Sequence, residues 1–215
     1  MRVGDTVRRP AGGSSEFVSR LLLHLEHTGF AGAPRFMGYD EQGRETLSFI
    51  DGEVPSDCRS LVWRDDQIRA AMRLLRSFHD HTAGSALAGS EEVVCHNDFG
   101  PWNLVWREGM PAAIIDFDNA APGCRMDDLA YAARKHLNLG LLSLPIAEQA
   151  RRVAVLARAY GIEPDATLVA GVRAAQARMR ALIESSPSGA RRDDAFVLIS
   201  GEQEWLDAHG DALVG

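Results

Sequence analysis

The stretch His96-Asn97-Asp98-Phe99-Gly100-Pro101-Trp102-Asn103, followed by Ala113-Ile114-Ile115-Asp116-Phe117-Asp118, constrains this chain more than any other part of it. It sets Asp98, Asn103 and Asp116 in order, at offsets of 5 and 13 residues. Five residues let a loop turn back, so that the first two side chains face one place. Residues 103–106, a turn at 107–111 and a returning strand at 112–115 read as a hairpin. That hairpin brings the second carboxylate back beside the first.

The spacing His96-x-Asp98-x-x-x-x-Asn103 fits the catalytic loop of kinases. Around it stand the Ile115-Asp116-Phe117-Asp118 strand end, Pro122-Gly123, the helix opening Asp128-Leu129-Ala130-Tyr131, and Leu75-Arg76-Ser77-Phe78-His79 before the loop. Each is common alone; together and in this order they are specific. On these motifs the chain resembles the aminoglycoside phosphotransferase family, a branch of the kinase-like fold. The resemblance implies an α+β, protein-kinase-like two-lobe fold, with a small β-rich N-terminal lobe over 1–54 and a mainly helical C-terminal lobe over 55–215. It also implies ATP or GTP as donor, Mg²⁺, and a small-molecule hydroxyl as acceptor.

The same resemblance assigns roles. Phosphoryl transfer asks a protein for positioning and for stabilisation of charge. Asp98 is the expected base for the attacking hydroxyl, with Asn103 completing the catalytic pair. Asn103 and Asp116 are the expected oxygen ligands of Mg²⁺. His96 is expected to brace the loop and Trp102 to pack. Asp118 is read as a supporting residue, Asp128 as the N-cap of its helix and a tie to the loop, and His79 as a core histidine.

Read in order, residues 3–10 form the end of one strand, a Gly4-Asp5 turn and a second strand stopped by Pro10. A helix over 16–27 carries Phe17, Val18, Leu21, Leu22 and Leu25 on one face, with Ser14 or Ser15 as its cap. Strands follow at 34–39 and 45–50, and the character changes near residues 51–55. Helices are expected over 63–81, from Asp127 or Asp128 to Lys135, and over 146–160, 165–184 and 193–209.

The small lobe departs from the family pattern. The chain is expected to start inside the second strand of the family's phosphate-covering hairpin, as a truncated lobe with no glycine-rich loop. The lysine of the third strand is absent. Arg8 matches its position best, and the adjacent Arg9 would point to the opposite face. Val18 stands where the family's helix carries a glutamate, with Glu16 half a turn away. Backbone groups near Phe49 and Ile50 are the expected seat of the nucleotide base. Glu202, Glu204 and Asp207 are candidates for an acidic rim that attracts an amine-bearing substrate.

A hydrophobic fraction of 46% in 215 residues supports a substantial core. The net charge of -7 weighs against gripping nucleic-acid backbones and suits a cationic acceptor. Cys58, Cys95 and Cys124 form no C-x-x-C pair and read as reduced thiols. The start Met1-Arg2-Val3-Gly4-Asp5 lacks an apolar signal core, and no apolar run reaches the ~18 residues of a membrane span. A cytoplasmic protein without membrane or nucleic-acid partners is expected. The alternative is a non-catalytic kinase-like protein that binds a ligand or partner. A hydrolase finds no nucleophile elbow in the sequence.

Overall fold

A computed structural model describes residues 1–55, 62–140 and 143–214, and Cys58 lies outside them. At the N-terminal end is an antiparallel sheet of four strands in the order β1-β2-β4-β3. β1 (Arg2–Val3) and β2 (Thr6–Arg9) form the expected hairpin, turning at Gly4, whose φ of 59° lies in the left-handed region. β2 then pairs with β4 (Glu45–Ser48) from Thr6↔Ser48 to Arg9↔Glu45. β4 ends two residues before the expected limit. β3 (Phe36–Tyr39) closes the other edge.

Helix α1 (Ser15–His27) lies against this sheet and buries Val18, Leu21, Leu22 and Leu25. Neither serine caps it as expected: Ser14 makes no side-chain cap bond, and Ser15 Oγ accepts from the Gly12 amide instead. Its C-terminus is closed by Gly29 at φ 85°, which lets the Phe30 amide reach the Leu25 carbonyl at 2.8 Å.

The linker after β4 is fastened to the body. Glu53 and Trp106 exchange backbone hydrogen bonds of 2.9 and 2.7 Å, and Arg107 Nε donates to the Asp51 carbonyl. Gly52 is required there. Its φ is 142°, and a Cβ would come within 2.5 Å of the Trp106 carbonyl oxygen.

The body is built on α2 (Asp65–Thr82), whose Ile68, Ala71, Met72, Leu75 and Phe78 are fully buried. Burying each of these side chains other than Ala71 contributes about 1.5–3 kcal/mol. α4 (Ile146–Tyr160) packs on α2, while α3 (Arg125–Leu137), α5 (Ala166–Ser185) and α6 (Ala190–His209) stack alongside one another. Two small ribbons sit on this bundle. β6 (Leu104–Arg107) and β7 (Met110–Ile114) form a hairpin turning at Glu108 and Gly109, both at positive φ as a tight hairpin demands. β5 (Val93–Cys95) pairs with β8 (Ala121–Gly123), a strand that Pro122 hid from sequence reading. Cys95 and Cys124 carry free thiols. No helix among the described residues is long and apolar enough to cross a membrane.

Candidate active site

The loop after β5 is hung from α3. Asp128 is fully buried. Its carboxylate accepts the backbone amides of His96 at 2.6 Å and Asn97 at 2.8 Å, and His79 Nε2 at 3.0 Å. It is therefore not the helix N-cap, because α3 begins three residues earlier at Arg125. It caps the loop rather than the helix. Burial alone would raise its pKa, but the His79 bond, the neighbouring histidines and the His96 amide outweigh that and hold it below the usual range. His79 is a core histidine as expected, with Nδ1 on the Tyr160 hydroxyl at 2.6 Å.

His96 braces the loop from inside. Its Nε2 bonds the Ile115 carbonyl at 3.0 Å and its Nδ1 accepts the Asp98 amide at 3.3 Å. These two bonds fix the neutral tautomer with hydrogen on Nε2. Burial also pushes its pKa down. Asn97 takes the left-handed conformation at φ 61° and donates its side-chain amide to the Asn119 carbonyl. The loop is thus tied to the segment that carries Asp116 and Asp118.

Three side-chain donors converge on Asp98. Tyr131 donates to Oδ1 at 2.6 Å. Asn103 Nδ2 at 2.9 Å and Trp102 Nε1 at 3.3 Å both donate to Oδ2. Trp102 is thus a partner of the carboxylate rather than a packed residue, and it is 36% exposed. Gly100 makes room for its indole, since a Cβ there would lie 2.5 Å from the ring. Tyr131 was missed by sequence reading, although its D-L-A-Y helix was singled out. Only the rotation of α3 relative to the loop brings its hydroxyl to Asp98.

Asp116 stands at the end of β7 in the left-handed region, φ 64°. A non-glycine residue held there stores of order 1–3 kcal/mol of strain, a feature that gathers at functional sites. Its carboxylate and that of Asp118 are half exposed and share one cation. Arg9 Nη1 lies 2.6 Å from Asp118 Oδ1 and 3.7 Å from Asp116 Oδ1. Arg8, the expected phosphate partner, points to the other face of the sheet and sits 3.7 Å from Asp40. Alternation along β2 makes the two arginines mutually exclusive, and the structure puts Arg9 at the site. Glu16 is exposed; within the sheet the acid on Arg9 is Glu45, at 2.6 Å.

Mg²⁺ fits this donor set. The Asn103 amide gives its nitrogen to Asp98, which turns its oxygen the other way. The two aspartates already hold a positive group between them. Hard oxygen donors of this kind are what Mg²⁺ takes.

Between the sheet and the body lies a cavity of about 430 Å³, lined by Val7, Arg9, Leu47, Phe49, Ile50 and Asp116 among others. It has an apolar end at β4 and an acidic end at Asp116. One expected donor is already taken, since the Phe49 amide bonds the Asp5 carbonyl at 2.8 Å. The Phe49 ring is covered by the Arg2 guanidinium, 3.7 Å from its centroid.

The acidic rim does not form as expected. Glu202 is 3% exposed and forms an ion pair with Arg134 of α3. Asp207 pairs with Arg173 at 3.3 Å. Glu204 is exposed in a groove between α5 and α6 that also presents Arg173 and Arg180.

The family model of the phosphotransferase enzyme family matches residues 20–182, a span that takes in the loop, both strands and the Asp128 helix. The chain belongs to this family. A family relative, the trifolitoxin immunity protein of Rhizobium leguminosarum bv. trifolii, is 37% identical over 177 residues. That match covers 75% of this chain but 66% of the relative, just under two thirds of its length. Among solved structures, the fold is similar to a choline/ethanolamine kinase family protein from Mesorhizobium loti, with a TM-score of 0.62 and 14% identity, covering 100% of this chain and 88% of that one. An aminoglycoside phosphotransferase from Alicyclobacillus acidocaldarius gives 0.63 at 12% identity, covering 97% and 86%. A spectinomycin phosphotransferase, solved with ADP and spectinomycin, gives 0.59 at 12% identity, covering 97% and 83%. At these identities the likeness establishes the fold, a small sheet region joined to a helical body in the kinase-like manner.

Proposed function

We propose that the chain is an ATP-dependent phosphotransferase acting on the hydroxyl of a small molecule. The observation that carries this reading is the hydrogen bond from Asn103 to Asp98, on a loop whose Asn103 carbonyl accepts the amide of Ile115, the neighbour of Asp116, with Asp98 unpaired by any cation among the described residues. Residues 1–54 supply the nucleotide side and 55–215 the base and acceptor side. The nucleotide base lies along the apolar end of the cavity near Phe49 and Ile50, and the phosphates reach toward Arg9.

Asp98 takes the proton of the acceptor hydroxyl as its oxygen attacks the terminal phosphorus and the bond to the departing nucleotide oxygen breaks. Oδ2 already accepts from Asn103 and Trp102, whereas Oδ1 accepts from Tyr131 alone. A carboxylate oxygen offers about two lone-pair sites, so Oδ1 retains the site for the substrate proton. Asn103 and Asp116 would hold Mg²⁺, which would neutralise charge on the phosphates. Asp98, which pairs with no cation among the described residues, favours an acceptor that carries an amine. A cytoplasmic location, where ATP is abundant, suits this reading.

Phosphorus NMR of Mg²⁺-ATP with amine-bearing alcohols tests the reading. New phosphate-ester signals are expected with the native chain and none with Asp98→Asn, whose fold should be intact by circular dichroism. Equal turnover by Asp98→Asn would sink the mechanism.

A second reading is favoured by the relative named as an immunity protein. Under it, the chain holds a toxic ligand without transferring phosphate. Binding of the ligand that is unaffected by ATP, together with no phosphate ester, would favour it.

A further inference from the structure

Arg9 bridges the two sides of the cleft. On the sheet it is the direct ladder partner of Glu45, and its Nε donates to Glu45 Oε2 at 2.6 Å. On the body side its Nη1 reaches the Asp118 and Asp116 carboxylates. Glu45 is 1% exposed, and its Oε1 has no hydrogen-bond partner. A buried carboxylate left half satisfied is unfavourable, and a guanidinium turned flat against it would satisfy both oxygens. Arg9 gives Glu45 one edge only and turns the other to the two aspartates. Among the described residues no other cation pairs with them.

We infer that Arg9 is a place-holding cation for Asp116 and Asp118, and that the buried Glu45 is the positioning residue that keeps it in reach. The inference rests on the cleft being a site for nucleotide with Mg²⁺. A divalent ion arriving at the aspartates displaces Nη1. The guanidinium stays anchored through Nε, and its freed edge faces the phosphates, which it can grip as a fork. Metal and Arg9 therefore compete for the aspartates, whereas Arg9 and nucleotide attract.

Calorimetry on the full chain, with MgCl2 alone and with ADP in excess EDTA, separates these terms. Removing one positive charge about 4 Å from a divalent ion in water changes affinity by roughly tenfold or more. Arg9→Gln is expected to bind Mg²⁺ alone roughly tenfold more tightly and ADP roughly tenfold more weakly. Glu45→Gln, which releases the guanidinium fully to the aspartates, is expected to weaken both. Arg9→Lys keeps the cation and should restore the weak Mg²⁺ binding of the native chain. A merely structural role would weaken both ligands in Arg9→Gln, and that result, or unchanged Mg²⁺ affinity, overturns the inference. Thermal unfolding without ligand checks that each variant is folded. If Glu45→Gln is not, the sign of the Mg²⁺ change in Arg9→Gln decides alone. A native chain that binds neither ligand overturns the functional reading and this inference with it. A native chain that binds both, with Mg²⁺ weakened by Arg9→Gln, overturns the arginine's role only.

Discussion

Tyr131 donates its phenolic hydroxyl to Asp98 Oδ1 at 2.6 Å, across the gap between α3 and the loop. Burial and the adjacent carboxylate push the phenol well above its usual pKa, so it stays a donor throughout the working range. A hydrogen bond to a charged group contributes about 1.5–3 kcal/mol. Tyr131→Phe should therefore lower kcat by roughly tenfold or more, with little change in KM for ATP. Steady-state kinetics with an acceptor found by the phosphorus NMR screen checks the split.

Mild acid should destabilise the fold through a buried histidine. His136 is buried, stacks on Phe99 and bonds the Phe99 carbonyl through Nε2. Burial lowers its pKa to about 4 from 6.5. Between those values the unfolded chain binds a proton that the folded chain refuses, so stability falls as pH falls from 6.5 toward 4. From pH 7 to 5 the loss is about 2 kcal/mol. Urea midpoints at the two pH values should show it, and His136→Phe should remove this share of the difference while leaving that of His96, whose pKa burial also lowers.

Asp128 works in the opposite pH region. Its carboxyl is held below its unfolded value of 3.8. Its contribution is present above that pH and is lost as pH falls further, through the folded pKa. At neutral pH, Asp128→Ala strands the His96 and Asn97 amides and His79 in the interior. A loss of several kcal/mol is expected, read as a large drop in Tm together with loss of activity.

Glu202 and Arg134 form a buried pair between α6 and α3. Glu202→Ala leaves a buried cation alone, which typically costs about 3–5 kcal/mol. The double change Glu202→Leu with Arg134→Met should recover most of that stability. Chemical denaturation of the three proteins checks the order. An acceptor-affinity loss in Glu202→Ala without a stability loss would restore this residue to the substrate rim.

The nearness of Asp98 to Asn103, and the hairpin that leads to Asp116, were legible because their geometry is local. Asp98 and Asn103 share one loop, and a single hairpin returns Asp116 to it. The choice between Arg8 and Arg9 was not, since which face of β2 looks into the cleft depends on strands and helices far along the chain. Glu202 read as a surface acid because Arg134 reaches it only once α3 and α6 stack. Asp128 read as a helix cap because the helix start was placed three residues late. Tyr131 carried no local mark, as its partner is supplied by tertiary packing alone.

The hydrogen bonds that the loop amides donate to Asp128, and that His96 donates to Ile115, have a mechanical consequence. Asp98, Asn103 and Asp116 all ride on the helical body, like parts bolted to a stator, while Arg9 is carried by the sheet. Any displacement of the sheet against the body would change the reach of Arg9 and leave the spacing between Asp98 and the other two aspartates alone. A wedge that props the cleft open would then part the sheet's arginine from the body, leaving Asp98 and its three donors fully assembled.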